Sequence, residues 1–298
     1  MKRYSVRPAT PADIEHVYAL IVKQNIHDYG EAMLTLDDLR RSWQTIHFET
    51  DTCAAYADGA LQGYAELKDN SPFIYLAEPN NIDLAFQLLT ILEEIAIERR
   101  ISTLGTRLSA KNKTLEELFL VNGYCTTLSF LIMQTIMSDP PALPAWPERI
   151  RVRHFVRGQD EQATYQADEE ASQDKGYHKP FDYETWSKRM GIDRERFDPT
   201  LWFLACEGDQ IAGVALNIYN SQSNSGWIDH LGVRAAWRKR GIGKALLLHS
   251  FGEFYRRGVR CIKLSVDSQS MTHAPHLYES VGMQTIQQYH IYKKDLPV

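Results

Sequence analysis

The sequence predicts an α/β chain made of two tandem copies of one domain, and three observations lead there. A proline-rich segment divides the chain near its middle. The two flanking halves present the same ordered series of motifs, and within each half strand-like and helix-like periodicities alternate. The dividing segment, "SDPPALPAWPE" (Ser138 to Glu148), holds four prolines in eleven residues and can neither continue a helix nor serve a central strand. The expected division is therefore residues 1–138, a linker at 139–148, and residues 149–298. A length of 298 residues lets each half bury its own core.

Each half opens with a short strand followed by a helix. In the first, Thr10-Pro11-Ala12-Asp13 supplies an N-cap, a proline at the first helical position and a carboxylate at the third. Ile14, Val17, Tyr18 and Ile21 then recur at the spacing of a buried helix face. The second half answers "YSVRPATPADIEHVY" with "IRVRHFVRGQDEQATY". Two hairpins follow, "AYADGALQGYAEL" around Asp58-Gly59 and "LACEGDQIAGVAL" around Glu207-Gly208, each an acidic-Gly turn between alternating apolar residues. Near the ends, "LFLVNGY" (Leu118 to Tyr124) matches "LYESVGM" (Leu277 to Met283) with the glycine in register.

The halves differ in one region. The second reads "HLGVRAAWRKRGIGKALLLHSF" where the first has "YLAEPNNIDLAFQLLTIL", shorter and without the glycines or the basic residues. "GWIDHLGV" (Gly226 to Val233) reads as a strand. Ala245, Leu247, Phe251, Phe254 and Tyr255 define a helix closed by Gly258 at C′, and "IKLSV" (Ile262 to Val266) as the next strand. The turn thus joins a strand to a helix N-terminus. Gly241 and Gly243 there let a ligand approach backbone N–H groups with the helix dipole behind them, a site suited to a pyrophosphate, and Arg238, Lys239, Arg240 and Lys244 add positive charge. A P-loop fails because Ala245 follows the lysine, and a dinucleotide GxGxxG fails because Leu246 stands at its third glycine.

Composition narrows the setting. A net charge of −5 argues against a duplex nucleic acid partner. Cys53, Cys125, Cys206 and Cys261 lie far apart, as reduced thiols in a cytoplasmic protein would. The opening "MKRYSVRPATPADIEHVY" lacks the apolar core of a signal peptide, and no run approaches the length of a membrane span. His273 and His276 sit three residues apart, yet no cysteine or carboxylate pattern completes a metal site, so no metal is expected.

Arg238-x-x-Gly241-x-Gly243 resembles the Q/R-x-x-G-x-G/A signature of the GCN5-related N-acetyltransferases, the GNAT superfamily, and "LYESVGM" resembles its recurrent LYexxGF segment. The likeness covers the second half nearly end to end and the first more faintly. The tandem layout is most similar to the mycothiol-synthase-like branch. The resemblance implies two GNAT-like domains, each a mixed, mostly antiparallel sheet flanked by helices. It further implies that the loop, from Arg238 through Ile242 to Ala245, binds the pyrophosphate of acetyl-CoA. Leu231, Gly232 and Val233 would offer backbone groups to the pantetheine arm and an N–H to the thioester oxygen.

The implied reaction is direct attack of a neutral primary amine, on a small molecule or a peptide N-terminus, on the thioester. Tyr278 matches the family tyrosine that donates a proton to the departing sulfur. Asp229 or His230 would serve as base; strand alternation turns only one of them to the active face, and a bulge could change which. The family often carries an asparagine seven or eight residues before the tyrosine. Here Met271 and Ser270 hold those places, and the Ser270 hydroxyl is the available substitute. Asp168, Glu169 and Glu170 could attract a cationic amine, although a solvated helix face is the favoured reading. The alternatives are acetylation of a cysteinyl sugar in the manner of a mycothiol synthase, and an acyl-CoA-binding module without turnover. The first domain is expected to have lost the cofactor loop and to shape the acceptor pocket. Monomer and homodimer both remain open.

Overall fold

The computed structural model describes residues 3–175, 178–194, 197–221, 223–270 and 274–297. The first half runs β1 (Ser5–Arg7), a 3-10 turn (Pro11–Asp13), α1 (Ile14–Tyr29), α2 (Leu36–Trp43), α3 (Phe48–Asp51), β2 (Thr52–Ala57), β3 (Ala60–Lys68), β4 (Ser71–Leu76), α4 (Ile82–Glu98), β5 (Thr103–Ser109), α5 (Lys113–Val121) and β6 (Cys125–Ile136). The second runs β7 (Ile150–His154), α6 (Glu161–Ser172), α7 (Tyr183–Met190), β8 (Trp202–Glu207), β9 (Gln210–Asn220), β10 (Ser225–Val233), α8 (Ile242–Arg256), β11 (Cys261–Asp267), α9 (Ala274–Glu279) and β12 (Gln284–Asp295). No described helix is long and apolar enough to cross a membrane.

Two compact units emerge: Met1–Phe130 together with Gln287–Val298, and Leu131–Ile286. Their boundary falls inside β6, ahead of the proline-rich segment and away from the expected linker at 139–148, and the last strand returns to the first unit. The reason is physical. Prolines mark where regular hydrogen bonding stops, but they carry no information about which sheet the flanking strands join.

In the first unit β1, β2, β3 and β4 pair in that order, every pair antiparallel, and β12 pairs antiparallel with β5 from Tyr289–Ser109 to Asp295–Thr103. In the second, β7, β8, β9 and β10 are antiparallel in order, and β10 then pairs parallel with β11. The fold is thus α/β, with a mostly antiparallel sheet in each unit. Asp58 and Gly59, both with positive φ, form the two-residue turn between β2 and β3. In the second unit the turn lies one residue later than expected, on Gly208-Asp209, because Glu207 pairs directly with Gln210.

The repeat survives in its side chains. The Arg7 guanidinium meets both oxygens of Asp13 at 2.8 Å, tying the first strand to the helix start. Arg153 does the same to Asp160, at 2.5 and 2.8 Å. Alternate residues of β8 feed opposite faces of the second sheet. Trp202 and Leu204 pack with Ala167 of α6 and Trp186 of α7, whereas Phe203 and Ala205 pack with Ile242 and Leu246 of α8. Each such full burial of a large apolar side chain contributes about 1.5–3 kcal/mol.

Candidate active site

The parallel pairing of β10 with β11 runs only from Ser225–Cys261 to Ile228–Leu264. Beyond it β10 continues to Val233 beside β9, and β11 continues to Asp267, without pairing to each other. The strands part. One edge of β10 around Leu231 and Val233 therefore carries backbone groups that no described strand uses, the Val233 carbonyl alone accepting from Arg238 Nε at 2.9 Å, and this is the condition for an extended ligand to lie in the cleft.

A register shift between Ile228 and His230 places Asp229 as the extra residue of a bulge. Its effect is visible in the packing. Ile228 and Leu231, three residues apart, both join the core beneath α8, a spacing that regular alternation forbids. The bulge turns His230 to the opposite face, where its Nδ1 meets Asp168 of α6 at 2.8 Å (Oδ2) and 3.0 Å (Oδ1). Gly232 faces the same way. A β-carbon there would lie 2.7 Å from that of Ala171, so this glycine is what lets α6 press against the strand.

Asp168 is buried, and its Oδ2 also accepts the Trp186 indole N–H at 2.9 Å. Burial works against its charge, but the His230 and Trp186 hydrogen bonds prevail and hold its carboxyl below the ordinary value. For His230 burial likewise opposes charge, and Asp168, through hydrogen bond and charge, outweighs it, so the imidazole is pushed up. Asp229 keeps an exposed face yet is surrounded by enough protein that desolvation raises its carboxyl, with His230 pulling the other way. That combination is what the floor of an open cleft provides.

The solvated acidic face expected on this helix is not what forms. Asp168 faces inward, the Glu169 carboxylate meets His178 at 2.9 Å, and Glu170 accepts from Arg234 at 2.7 Å. Sequence periodicity missed this because each partner lies on a different element.

At the other end of the cleft Gly241 N-caps α8 with φ +86° and has no side chain to cap the first turn. The first intrahelical bond is Ala245 N–H to Gly241 O at 3.0 Å. It leaves the N–H groups of Ile242, Gly243 and Lys244 available to an anion and spends that of Ala245, which therefore drops out of the expected set. A β-carbon on Gly243 would make only ordinary contacts, 3.5 Å to Leu277 and 3.7 Å to Val233. Protein packing does not demand glycine there, and the space it keeps suits an approaching ligand. These features fit the diphosphate and thioester arm of acetyl-CoA.

The basic residues divide. Arg238 donates to Val233 O at 2.9 Å and pairs with Asp174, and Arg240 pairs with Glu207 at 3.0 Å, so both brace the loop. Lys239 and Lys244 make no ion pair among the described residues. A cavity of about 420 Å³ opens beside Lys244, walled by Met137, Pro141, Leu248 and Val281.

Tyr278 is buried on α9, in the cluster that also holds Ile228 and Val266, with Leu231 and Leu277 packed against it. It thus lies beneath α8, on the face opposite His230. The Ser270 N–H bonds Asp267 O at 3.2 Å just past the end of β11; Met271 and His273 lie outside the described residues. His276 meets Glu279 at 3.1 Å, and no group of three metal-binding side chains gathers among the described residues.

Parting strands that lead into an uncapped, glycine-bearing helix start give this α/β fold a cleft for an extended ligand with an anionic end. The model of the acetyltransferase (GNAT) family matches residues 162–283. A GCN5-related N-acetyltransferase from Sphaerobacter thermophilus is 32% identical in its crystal structure, with a TM-score of 0.81, covering 98% of this chain and 95% of that one. The chain belongs to the GCN5-related N-acetyltransferase family. A tandem GNAT protein from the clavulanic acid biosynthesis pathway shares the fold, with a TM-score of 0.74 at 13% identity over 99% of this chain and all of that one. Among curated proteins, the mycothiol acetyltransferase of Geodermatophilus obscurus is 27% identical over 91% of both chains. Against two others of that name, 30% and 29% identical, the chain spans about half their length.

Proposed function

We propose that the protein is an acetyl-CoA-dependent N-acetyltransferase that acetylates a primary amine by direct attack on the thioester. The observation that carries this reading is the parting of β10 from β11 after Ile228 and Leu264, in line with the free N–H groups at the start of α8. Leu231 to Val233 would hold the pantetheine arm, and Ile242, Gly243 and Lys244 the pyrophosphate, helped by Lys239. The cavity beside Lys244 suits the adenosine end. Tyr278 would return a proton to sulfur, and Asp229 or His230 would take one from the amine. The second unit is the cofactor-binding one and the first a degenerate copy, in a chain of the reducing cytoplasm.

The names of the relatives favour one acceptor in particular. The mycothiol acetyltransferase of Geodermatophilus obscurus matches across both units, so the amine of a cysteinyl sugar belongs in any substrate panel. Mixing acetyl-CoA with such a panel and titrating released thiol tests the reading. Thiol released in step with an acetylated amine supports it. Tight acetyl-CoA binding with no thiol from any amine would make the protein a binding module instead.

A further inference from the structure

We infer that Asp168 is a positioning residue that fixes His230 in the tautomer bearing its proton on Nδ1, making Nε2 of His230, and not Asp229, the base of the reaction. This rests on the acetyl-transfer reading above and deepens it. Both Asp168 oxygens lie within 3.0 Å of Nδ1, and the carboxylate can only accept, so the ring must donate from that nitrogen. Nε2 is then the imidazole's one free lone pair. Asp168 is almost wholly buried while the His230 side chain is 30% exposed, so the carboxylate anchors the inner edge of a ring that keeps some open surface. Trp186 fixes the carboxylate in turn by donating to Oδ2. This is the orienting chain of a triad, assembled from α7, α6 and the bulge of β10.

Asp229 is the weaker candidate. Its carboxylate has no hydrogen-bond partner among the described residues, and even a raised carboxyl is a poor match for an ammonium proton compared with an imidazole. The groups facing His230 are Asp168 from α6, Lys175 just beyond it, Asp229 from β10 and Trp186 from α7, with Arg189 of α7 acting on Asp229. Both nearby carboxylates raise the basicity of the ring and Lys175 lowers it. The proton balance is simple. The attacking nitrogen sheds two protons in passing from ammonium to amide. One replaces carbon on the thiol sulfur as the C–S bond breaks and the C–N bond forms, and the other leaves for water through Nε2 of His230.

The test uses the Trp186 N–H as an internal lever. In Asp168→Asn the amide must turn its oxygen to Trp186 and its NH₂ to His230, so Nδ1 becomes an acceptor and the proton moves to Nε2. Nitrogen-15 NMR of the full-length protein should show the tautomer inverted and the His230 pKa lowered, because the Asp168 charge that raises it is gone. Turnover should fall roughly a hundredfold to ten-thousandfold with acetyl-CoA affinity unchanged. Adding Trp186→Phe frees the amide to rotate and offer its oxygen to Nδ1–H, so the double variant should regain roughly tenfold. A purely structural role predicts the opposite, since a second core change would deepen the loss. Asp229→Asn should cost less than tenfold. An unchanged tautomer in Asp168→Asn, no rescue in the double variant, or a larger loss in Asp229→Asn than in Asp168→Asn would overturn the proposal. If the wild type acetylates no amine, the acetyl-transfer reading falls, and the tautomer assignment still stands or falls on the NMR result.

Discussion

Phe119 and Tyr278 occupy the same place in their two units. Each is a buried ring on a short helix, and each carbonyl accepts the N–H five residues on, Tyr124 at 3.0 Å and Met283 at 3.1 Å. Between them stand Gly123 and Gly282 with φ of +85° and +88°. The backbones match and the side chains differ by one hydroxyl, carried by the unit with the glycine loop. Tyr278→Phe should therefore lower turnover roughly tenfold to a thousandfold, with water substituting in part. Acetyl-CoA affinity should hardly move, because the ring and its packing remain. Phe119→Tyr should create no second activity. Full turnover in Tyr278→Phe, under conditions where chemistry limits the rate, would make the phenol structural.

The loop glycines act by different means, which separates their variants. Gly241 sits at φ +86° with open space around it, so Gly241→Val strains the backbone, by about 1–2 kcal/mol, and moves the first-turn N–H groups. Gly243 has no such φ, and valine there mainly fills the room left for the ligand. Both should abolish acetyl-CoA binding by calorimetry while circular dichroism stays native. Unchanged affinity in Gly243→Val would move the cofactor elsewhere.

Much of this was legible in the sequence, and what was not had a common cause. The repeat, the hairpins, the glycine loop and the helix closed at Gly258 rest on local spacing, and local spacing is what a sequence displays. The possibility of a bulge beside Asp229 could be named, but its position had to be seen, because it depends on which residue of β9 each residue of β10 faces. The pairing of Asp168 with His230 joins residues 62 apart and left no periodic trace. The charge of Arg238 and Arg240 is visible in the sequence, whereas their pairing with the acids Asp174 and Glu207, which come from other elements, is not.

The repeated arginine fork should set part of the acid stability. The Arg153 hydrogen bond, opposed by desolvation, holds the Asp160 carboxyl below its ordinary value. A depressed folded-state pKa stabilises fully above the unfolded value, about 3.9, and the contribution is lost as pH falls through the folded value. Asp160→Asn should thus unfold more easily at neutral pH and show a shallower loss of stability below about pH 4 than wild type. Arg153→Met leaves a buried carboxylate unpaired and should cost about 1–3 kcal/mol, less than a wholly buried pair because Arg153 is half-exposed. Denaturant titrations at pH 7 and pH 3.5 measure both, and parallel pH profiles for wild type and Asp160→Asn would remove the fork from the acid response.

The first unit should bind no acetyl-CoA, and the reason is a bridge built from α1. Its β4 and β5 also meet near the start of β4, where the Gly105 N–H reaches Asn70 O at 3.0 Å and the Thr106 hydroxyl reaches Pro72 O at 2.9 Å. Past that point the edge of β4 is already occupied. The Gln24 side chain donates to Ile74 O and accepts from the Leu76 N–H, both at 3.1 Å, and Lys23 donates to Ala77 O at 2.7 Å. One turn further along α1, Asp28 O accepts from the Ser109 hydroxyl at the end of β5, at 2.9 Å. The backbone groups that an extended ligand would use are thus satisfied from within, and Ala77 to Asn81 contains no glycine to admit a phosphate. Calorimetric titration should give one acetyl-CoA per chain. Gln24→Ala leaves the Leu76 N–H unpaired and should cost about 1–3 kcal/mol of stability. It should not add a second site, because an opened edge without an anion-binding helix start holds only half of the ligand. A stoichiometry near two in the wild-type protein would show that the bridge does not close the cleft.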